Sequence, residues 1–346
     1  MTNDVLIFFH HDVVSDQSNP RITSYISYLR KQGLNPCFRF VKSSVRKRTP
    51  YWRHYLHLTK SQNYKVAYFY SPNALSVPMY MLCRLRGIRV VVEKTELDSI
   101  KPSEHWKDRF NSLLYAFDEK LFPFFANSLV VISQKLFDHY TNKVEKIGLV
   151  GAFVHRGHEI VNIPDSDSTP PLKIGYLGSF GQKDDLLTLI SAFQKLKAIL
   201  SIEVELNLYG KAINTEVLSV KGIKQHGFLQ QGEIVESLQQ NAVLIAIRNK
   251  HSYSDYGFPS KLTEYFLTGR PIITSKSSDI SLLFNHKEQV YLIDPEDENQ
   301  LLTGLQWCIN ESQEAITMGL RGKQWALAHW DSDAVLDKWA KIVLGV

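Results

Sequence analysis

Short apolar runs alternate with amphipathic stretches along the chain, and this alternation stops once and then starts again. In the first series "VLIFFH", "PCFRFV", "KVAYFY", "IRVVVE" and "NSLVVIS" read as strands, because each is short, rich in β-branched or aromatic residues and bounded by turn residues. Between them "ITSYISYLRKQG" and "SVPMYMLCRLRG" read as helices ending at Gly33 and Gly87, followed by the longer "WKDRFNSLLYAFDEKLF" and by "QKLFDHYT". The interruption is "GHEIVNIPDSDSTPPLK", polar and proline-bearing, which reads as a linker. The second series runs through "LKIGYLGS", a helix from about Asp185 to Leu196, "IEVELNLYG", "IKQHGF", a helix at "QGEIVESLQQN", "AVLIAI", a short helix before Gly269, "PIITS" and "QVYLIDP". Strands joined by helices in this order imply parallel sheets covered on both faces. With 346 residues the chain exceeds one typical core. The expectation is therefore two Rossmann-like α/β domains, with the last helix, "DSDAVLDKWAKIVL", packing back across the first.

Composition narrows what such a chain can do. Cys37, Cys83 and Cys308 are scattered and odd in number, so neither a disulfide framework nor a zinc site is expected. The N-terminus lacks a basic segment before "VLIFFH" and a small-residue cleavage site, so no signal peptide is expected. No stretch approaches the length of a spanning helix. A reduced, cytoplasmic setting follows. The net charge of +5 hides an asymmetry, because residues 17 to 92 hold no Asp or Glu but fourteen Lys and Arg. The densest part is "KSSVRKRTPYWRHYLHLTK", where Lys42, Arg46, Lys47, Arg48 and Arg53 are interleaved with Tyr51, Trp52 and Tyr55. Such a surface should face something anionic. A bilayer interface is the favoured partner, at the inner face of the cell membrane. Nucleic acid is not expected, because no recognition-helix, RNP or zinc motif accompanies the basic residues.

Two motifs carry chemistry. "GFPSKLTEYFLTGRPIITS" places Pro259 at a helix start and Gly269 at its left-handed end, with Leu262, Tyr265 and Phe266 on one buried face. A helix N-terminus preceded by glycine and carrying Lys261 can receive an anion, with Glu264 off the apolar face. By itself this stretch is equally served by a surface helix with solvated Lys261 and Glu264. The second motif is "GYLGSFGQKDDLL", in which Gly178, Ser179, Phe180 and Gly181 turn a strand into a helix just before Lys183. Its spacing meets neither the dinucleotide fingerprint nor a Walker A loop. The two motifs gain weight together, since both lie at carboxyl ends of strands in one α/β domain.

From about Lys173 to Pro295 the sequence resembles glycosyltransferase family 4, of the GT-B fold. The resemblance rests on "GSFGQKDDLLTLISAF", "HGFLQQGEIVESL", "AVLIAIRNK" and "GFPSKLTEYFLTGRPIITS"; earlier in the chain only "VVEKTELDSI" and "SLVVIS" are reminiscent of it. It implies a retaining, metal-independent hexosyl- or N-acetylhexosaminyltransferase with two domains facing across a cleft. The co-substrate would be a nucleoside-diphosphate sugar, UDP- or GDP-linked, and the acceptor a saccharide or lipid-linked molecule in bacterial polysaccharide or glycolipid synthesis. The implied layout is an acceptor domain over 1–155, a linker over 156–172, a donor domain over 173–328 and a C-terminal helix over 329–346. The family's ribose-binding glutamate falls on Glu264. Its partner, with seven residues between them, falls on Tyr256, and the arginine after the first glycine is replaced by Ser179. The phosphate-binding lysine falls near Lys183, with Lys261 and Arg248 as sources of the missing charge and Gly257, Phe258, Pro259 and Ser260 leading into the helix end. For the acceptor side, His11 beside His10 and Asp12, and Glu93 after "IRVVV", are the candidates. Two other classes fit the same residues. A sugar-nucleotide epimerase or isomerase would turn over donor without acceptor, and a weakly catalytic binding protein would follow from Ser179 and Tyr256 replacing charged residues.

Overall fold

The computed structural model describes residues 5–9, 19–40, 64–100, 106–154, 171–181, 183–211, 219–230 and 232–346. His11, the basic positions Lys42, Arg46, Lys47, Arg48, Trp52 and Arg53, and 156–170 of the expected linker lie outside them. The apolar runs pair as two six-stranded parallel sheets. The first takes the order β2-β1-β3-β4-β5-β6 and is built from β1 (Val5–Phe9), β2 (Pro36–Phe40), β3 (Val66–Tyr70), β4 (Arg89–Lys94), β5 (Ser128–Val131) and β6 (Ile147–Leu149). Its central register sets Ile7 opposite Tyr68, Tyr68 opposite Val91 and Val92 opposite Leu129. Helices α1 (Pro20–Lys31), α2 (Val77–Leu85), α3 (Trp106–Phe125) and α4 (Gln134–Tyr140) connect these strands. α1 begins where the Asn19 side chain accepts from the amides of Arg21 and Ile22, with Pro20 at the first helical position.

The second sheet takes the order β12-β11-β10-β7-β8-β9. Its strands are β7 (Leu172–Gly178), β8 (Val204–Gly210), β9 (Ile223–Gly227), β10 (Val243–Ala246), β11 (Ile272–Ser275) and β12 (Tyr291–Ile293). The helices are α5 (Leu186–Ile199), α6 (Ile234–Gln239), α7 (Ser252–Tyr256), α8 (Lys261–Thr268), α9 (Ile280–Leu283), α10 (Glu298–Asn310) and α11 (Ser312–His329). The strand order reverses between β7 and β10, and in open α/β sheets a ligand site forms outside the carboxyl ends of the strands at such a reversal. β6, α10 and α11 are not assigned by the sequence reading. Glycines inside α10 and α11 obscure the helical signal, and the structure supplies their reason. A Cβ at Gly304 would stand 2.9 Å from the Tyr291 ring, and one at Gly319 only 2.4 Å from the Gly269 carbonyl oxygen.

The chain divides into two compact units, 1–151 with 333–346, and 152–332. The last helix, α12 (Ser332–Leu344), packs with the first sheet. Trp339, fully buried, lies face to face with Tyr25 at 3.9 Å between ring centres and donates its indole N–H to the Tyr68 hydroxyl at 3.0 Å. Tyr28 donates to Asp337 at 2.9 Å, and Arg89 donates to the Val343 carbonyl at 3.2 Å.

Candidate functional site

The turn after β7 is shaped by a close approach of two strands. A Cβ at position 210 would stand 1.8 Å from the Gly178 carbonyl oxygen, and Gly210 has φ +136°, so only glycine fits beside the turn. Phe180 adopts φ +53°, an uncommon conformation for an aromatic residue, with its ring 5.9 Å from that of Tyr176. Three donors then converge on Asp184. They are the Gly181 amide at 3.1 Å, the Tyr176 hydroxyl at 2.6 Å and the Lys261 ammonium at 2.9 Å, which also reaches the Tyr176 hydroxyl at 2.9 Å. Burial pushes the Asp184 carboxyl upward, but Lys261 and the hydrogen bonds outweigh it, and the group stays below its ordinary value. For Lys261 the balance runs the other way, because burial, with the Arg248 cation nearby, lowers the ammonium against the pull of Asp184. A Cβ on Gly178 would stand 3.2 Å from its Nζ, so the ammonium sits directly under the turn.

Helix α8 presents its N-terminus to the same place. Its first α-helical residue is Lys261, two positions later than Pro259, which the sequence places at the start. The difference arises because the Leu262 and Thr263 amides close a tight turn onto the Pro259 and Ser260 carbonyls at 3.1 and 3.0 Å. The amides of Ser260 and Lys261 have no hydrogen-bond partner among the described residues. Gly269 ends the helix at φ +72°, as its position before Pro271 suggests. Tyr265 pins α8 to the sheet by accepting from the Leu177 amide at 2.7 Å and donating to the Ile245 carbonyl at 3.0 Å. Leu262, Tyr265 and Phe266 are all fully buried, so the apolar face is as the spacing predicts.

Arg248, buried at the end of β10, donates to the carbonyls of Ser254 and Gly257 at 2.9 Å each. It thereby fixes the segment carrying Tyr256 and Gly257, rather than standing as an open cation. Phe258 is buried against Trp330 at 5.6 Å. Lys183 places its ammonium 4.2 Å from the centre of the Tyr253 ring, while its carbonyl accepts from the Asn249 amide at 3.2 Å. Glu264 is half-buried, accepts from the Thr263 hydroxyl at 2.7 Å, and is pushed above its ordinary value by burial.

The structure thus gathers Gly178, Ser179, Phe180, Gly181, Lys183, Arg248, Tyr256, Gly257, Phe258, Pro259, Ser260 and Lys261 around the carboxyl ends of β7 and β10, with Glu264 one turn into α8. Glu93 is placed elsewhere, fully buried inside the first unit. Its carboxylate accepts from Arg21 Nε at 2.8 Å, from the Tyr25 hydroxyl at 3.1 Å and from the Tyr68 hydroxyl. Arg21 extends this network to the Val150 and Gly151 carbonyls at 2.6 and 2.8 Å. The residue that sequence reasoning misses is Asp184. Next to Asp185, whose side chain caps α5 at the Thr188 amide, it looks like a second capping acid. Nothing local shows its tie to Lys261.

Two six-stranded parallel α/β sheets, the second carrying a glycine turn and a helix N-terminus at its reversal point, define the GT-B fold of glycosyltransferases. Within it, residues 171–311 match the family model described as glycosyl transferases group 1. No curated protein sequence matches the chain. Among solved structures, sucrose-phosphate synthase from Thermosynechococcus elongatus is similar at a TM-score of 0.77, with 13% identity and 98% of each chain covered. Anabaena HepE in complex with UDP and glucose is similar at a TM-score of 0.72, with 13% identity, covering 99% of this chain and 100% of that one. The lipopolysaccharide outer core galactosyltransferase WaaB, in its apo form, gives a TM-score of 0.64 at 13% identity, with 99% of each chain covered. At this identity the likeness is one of fold.

Proposed function

We propose that the protein is a retaining glycosyltransferase that moves a hexosyl or N-acetylhexosaminyl group from a UDP- or GDP-linked sugar to a saccharide or lipid-linked acceptor, in bacterial polysaccharide or glycolipid synthesis. The observation that carries the reading is the convergence of the Gly178–Gly181 turn, Lys183, Lys261 and the Ser260 and Lys261 amides, unpartnered among the described residues, at one sheet reversal. The matched family model over 171–311 and the UDP and UDP-glucose complexes of HepE support it.

In this reading the diphosphate lies on the turn and on the N-terminus of α8, and Glu264 accepts the ribose hydroxyls. The bond between the anomeric carbon and the β-phosphate oxygen breaks, and the electron pair leaves with the diphosphate. The acceptor oxygen bonds to the same face of the sugar, and its proton passes to a phosphate oxygen. The protein's part is to stabilise charge on the leaving group, through the ammoniums of Lys183 and Lys261, the turn amides and the helix dipole. Losing one such fixed donor should cost about 2.7–4 kcal/mol of transition-state stabilisation. No metal is needed where these groups meet the charge.

Calorimetric titration with UDP and GDP tests the assignment. Lys183→Ala and Glu264→Ala should each weaken binding of the preferred nucleotide at least about tenfold, which is ~1.4 kcal/mol, without changing the thermal unfolding profile of the free protein. Unchanged affinity in both variants would overturn the site. Conversion of a nucleotide sugar without any acceptor would assign an epimerase instead.

A further inference from the structure

Helix α3 carries a stripe of large apolar side chains turned toward solvent. Phe110 is 55% exposed, Leu113 68%, Phe117 56% and Phe124 78%, with the half-buried Leu114 and Leu121 filling the gaps. These positions recur at three- and four-residue steps, so they form one continuous strip over four turns of helix, about 20 Å long. The opposite side of α3 holds the helix to the protein. Asp118 is fully buried between the Lys94 ammonium at 2.8 Å and the Tyr80 hydroxyl at 2.9 Å, and Phe122 is fully buried. Tyr80 belongs to α2, whose outer side exposes Met81 at 48% and Leu85 at 83%. With about 150–250 Å² per aromatic side chain, the three phenylalanines alone leave on the order of 400 Å² of apolar surface uncovered, the size of a patch that normally marks an interaction site.

The charges around the strip select its partner. Arg109 and Lys120, exposed and eleven residues apart, border it along one side of α3, and Arg84 and Arg86, also exposed, flank Leu85. Among the described side chains of α3 the acids are withdrawn, since Asp118 is buried in its ion pair and Glu119 is held by the Ser99 amide and hydroxyl. A face that is apolar along its crest and, among the described side chains, cationic at its rim would repel a second copy of itself. It matches a leaflet with anionic headgroups, where the cations meet phosphate and the rings enter the acyl boundary. We propose that the exposed ridge of α2 and α3 docks the protein on an anionic phospholipid surface by inserting Leu113, Phe117 and Phe124. The rim charges choose the partner, the inference rests on the transferase reading only in that a lipid-linked acceptor would lie in such a surface, and it assigns docking to this ridge whatever the Lys42–Lys60 segment adds.

Flotation of the full chain with vesicles of phosphatidylcholine, with and without phosphatidylglycerol, tests it. The triple variant Leu113→Gln, Phe117→Gln, Phe124→Gln should lower the bound fraction at least about tenfold and abolish the binding that survives about 0.5 M salt, where charge attraction is screened. Arg109→Gln with Lys120→Gln should weaken binding to anionic vesicles only. UDP binding, measured on the same variants, should stay as in the parent protein, so a failed transferase reading shows there and a failed docking reading shows in flotation. The proposal is overturned if the parent protein binds neither vesicle, binds both equally, or floats as well after the triple substitution. It is also overturned if sedimentation shows a dimer that the triple variant dissociates, which would give the ridge to a second copy.

Discussion

Replacing Asp184 by asparagine keeps the shape of the side chain and removes its charge, leaving the Lys261 ammonium under the turn without a carboxylate. The side chains are 10% and 14% exposed, so the pair is nearly buried. Breaking a buried ion pair by removing one partner costs about 3–5 kcal/mol. Because the asparagine oxygen can still accept from Tyr176 and Lys261, the lower end applies, about 3 kcal/mol. For a unit of roughly 180 residues each kcal/mol moves the melting temperature by about 2–4 °C, which gives a fall of about 6–12 °C at pH 7. The pH dependence follows from the two shifts. Asp184 titrates lower in the folded protein than in the unfolded chain, so its contribution is complete above the ordinary carboxylate range and is lost as pH falls through the lowered value. Parent and variant should therefore converge below about pH 4. Lys261 also titrates lower when folded, so the folded protein releases this proton first and gains stability as pH rises. Without Asp184 that release moves to lower pH, and the gap should narrow on the alkaline side too. Saturating UDP should stabilise the variant more than the parent, since the diphosphate supplies the missing negative charge. Calorimetric melts from pH 3.5 to 9, with and without UDP, decide the matter. A difference under about 2 °C at pH 7, or one that is constant across the range, would refute the reasoning.

Trp339→Ala should destabilise the first unit by about 3–5 kcal/mol, because it opens a cavity against Tyr25 and removes the bond to Tyr68; urea unfolding followed by fluorescence measures this. Gly210→Ala should displace the Gly178 carbonyl and so weaken UDP binding at least about tenfold, in excess of any loss of stability, as titration calorimetry on the folded fraction will show. Transfer activity should survive EDTA unchanged, and restoration by magnesium or manganese after a loss would contradict the charge assignment to Lys183 and Lys261.

Local chemistry was enough for most strands and helices and for the parallel α/β class, because the apolar periods and the Gly33, Gly87 and Gly269 punctuation act within a few residues. The glycine turn and the α8 N-terminus were legible for the same reason, and the resemblance over 173–295 tied them to a sugar nucleotide. Other features depend on atoms distant in the chain. α10 and α11 stayed unread because Gly304 and Gly319 make sense only against Tyr291 and the Gly269 carbonyl. Glu93 read as an acceptor-side candidate at a strand end, yet Arg21, Tyr25 and Tyr68 enclose it from two other elements, α1 and β3. Lys261 looked like a free cation until Asp184, seventy-seven positions earlier, was found on it. The apolar stripe on α3 has a helical period that does not by itself say which way it faces. Only the packing shows that Asp118 and Phe122 took the interior side and left Phe110, Leu113, Phe117 and Phe124 outside. Spacing along a helix says which side chains share a face, whereas which face is buried is decided by what the rest of the chain brings against it.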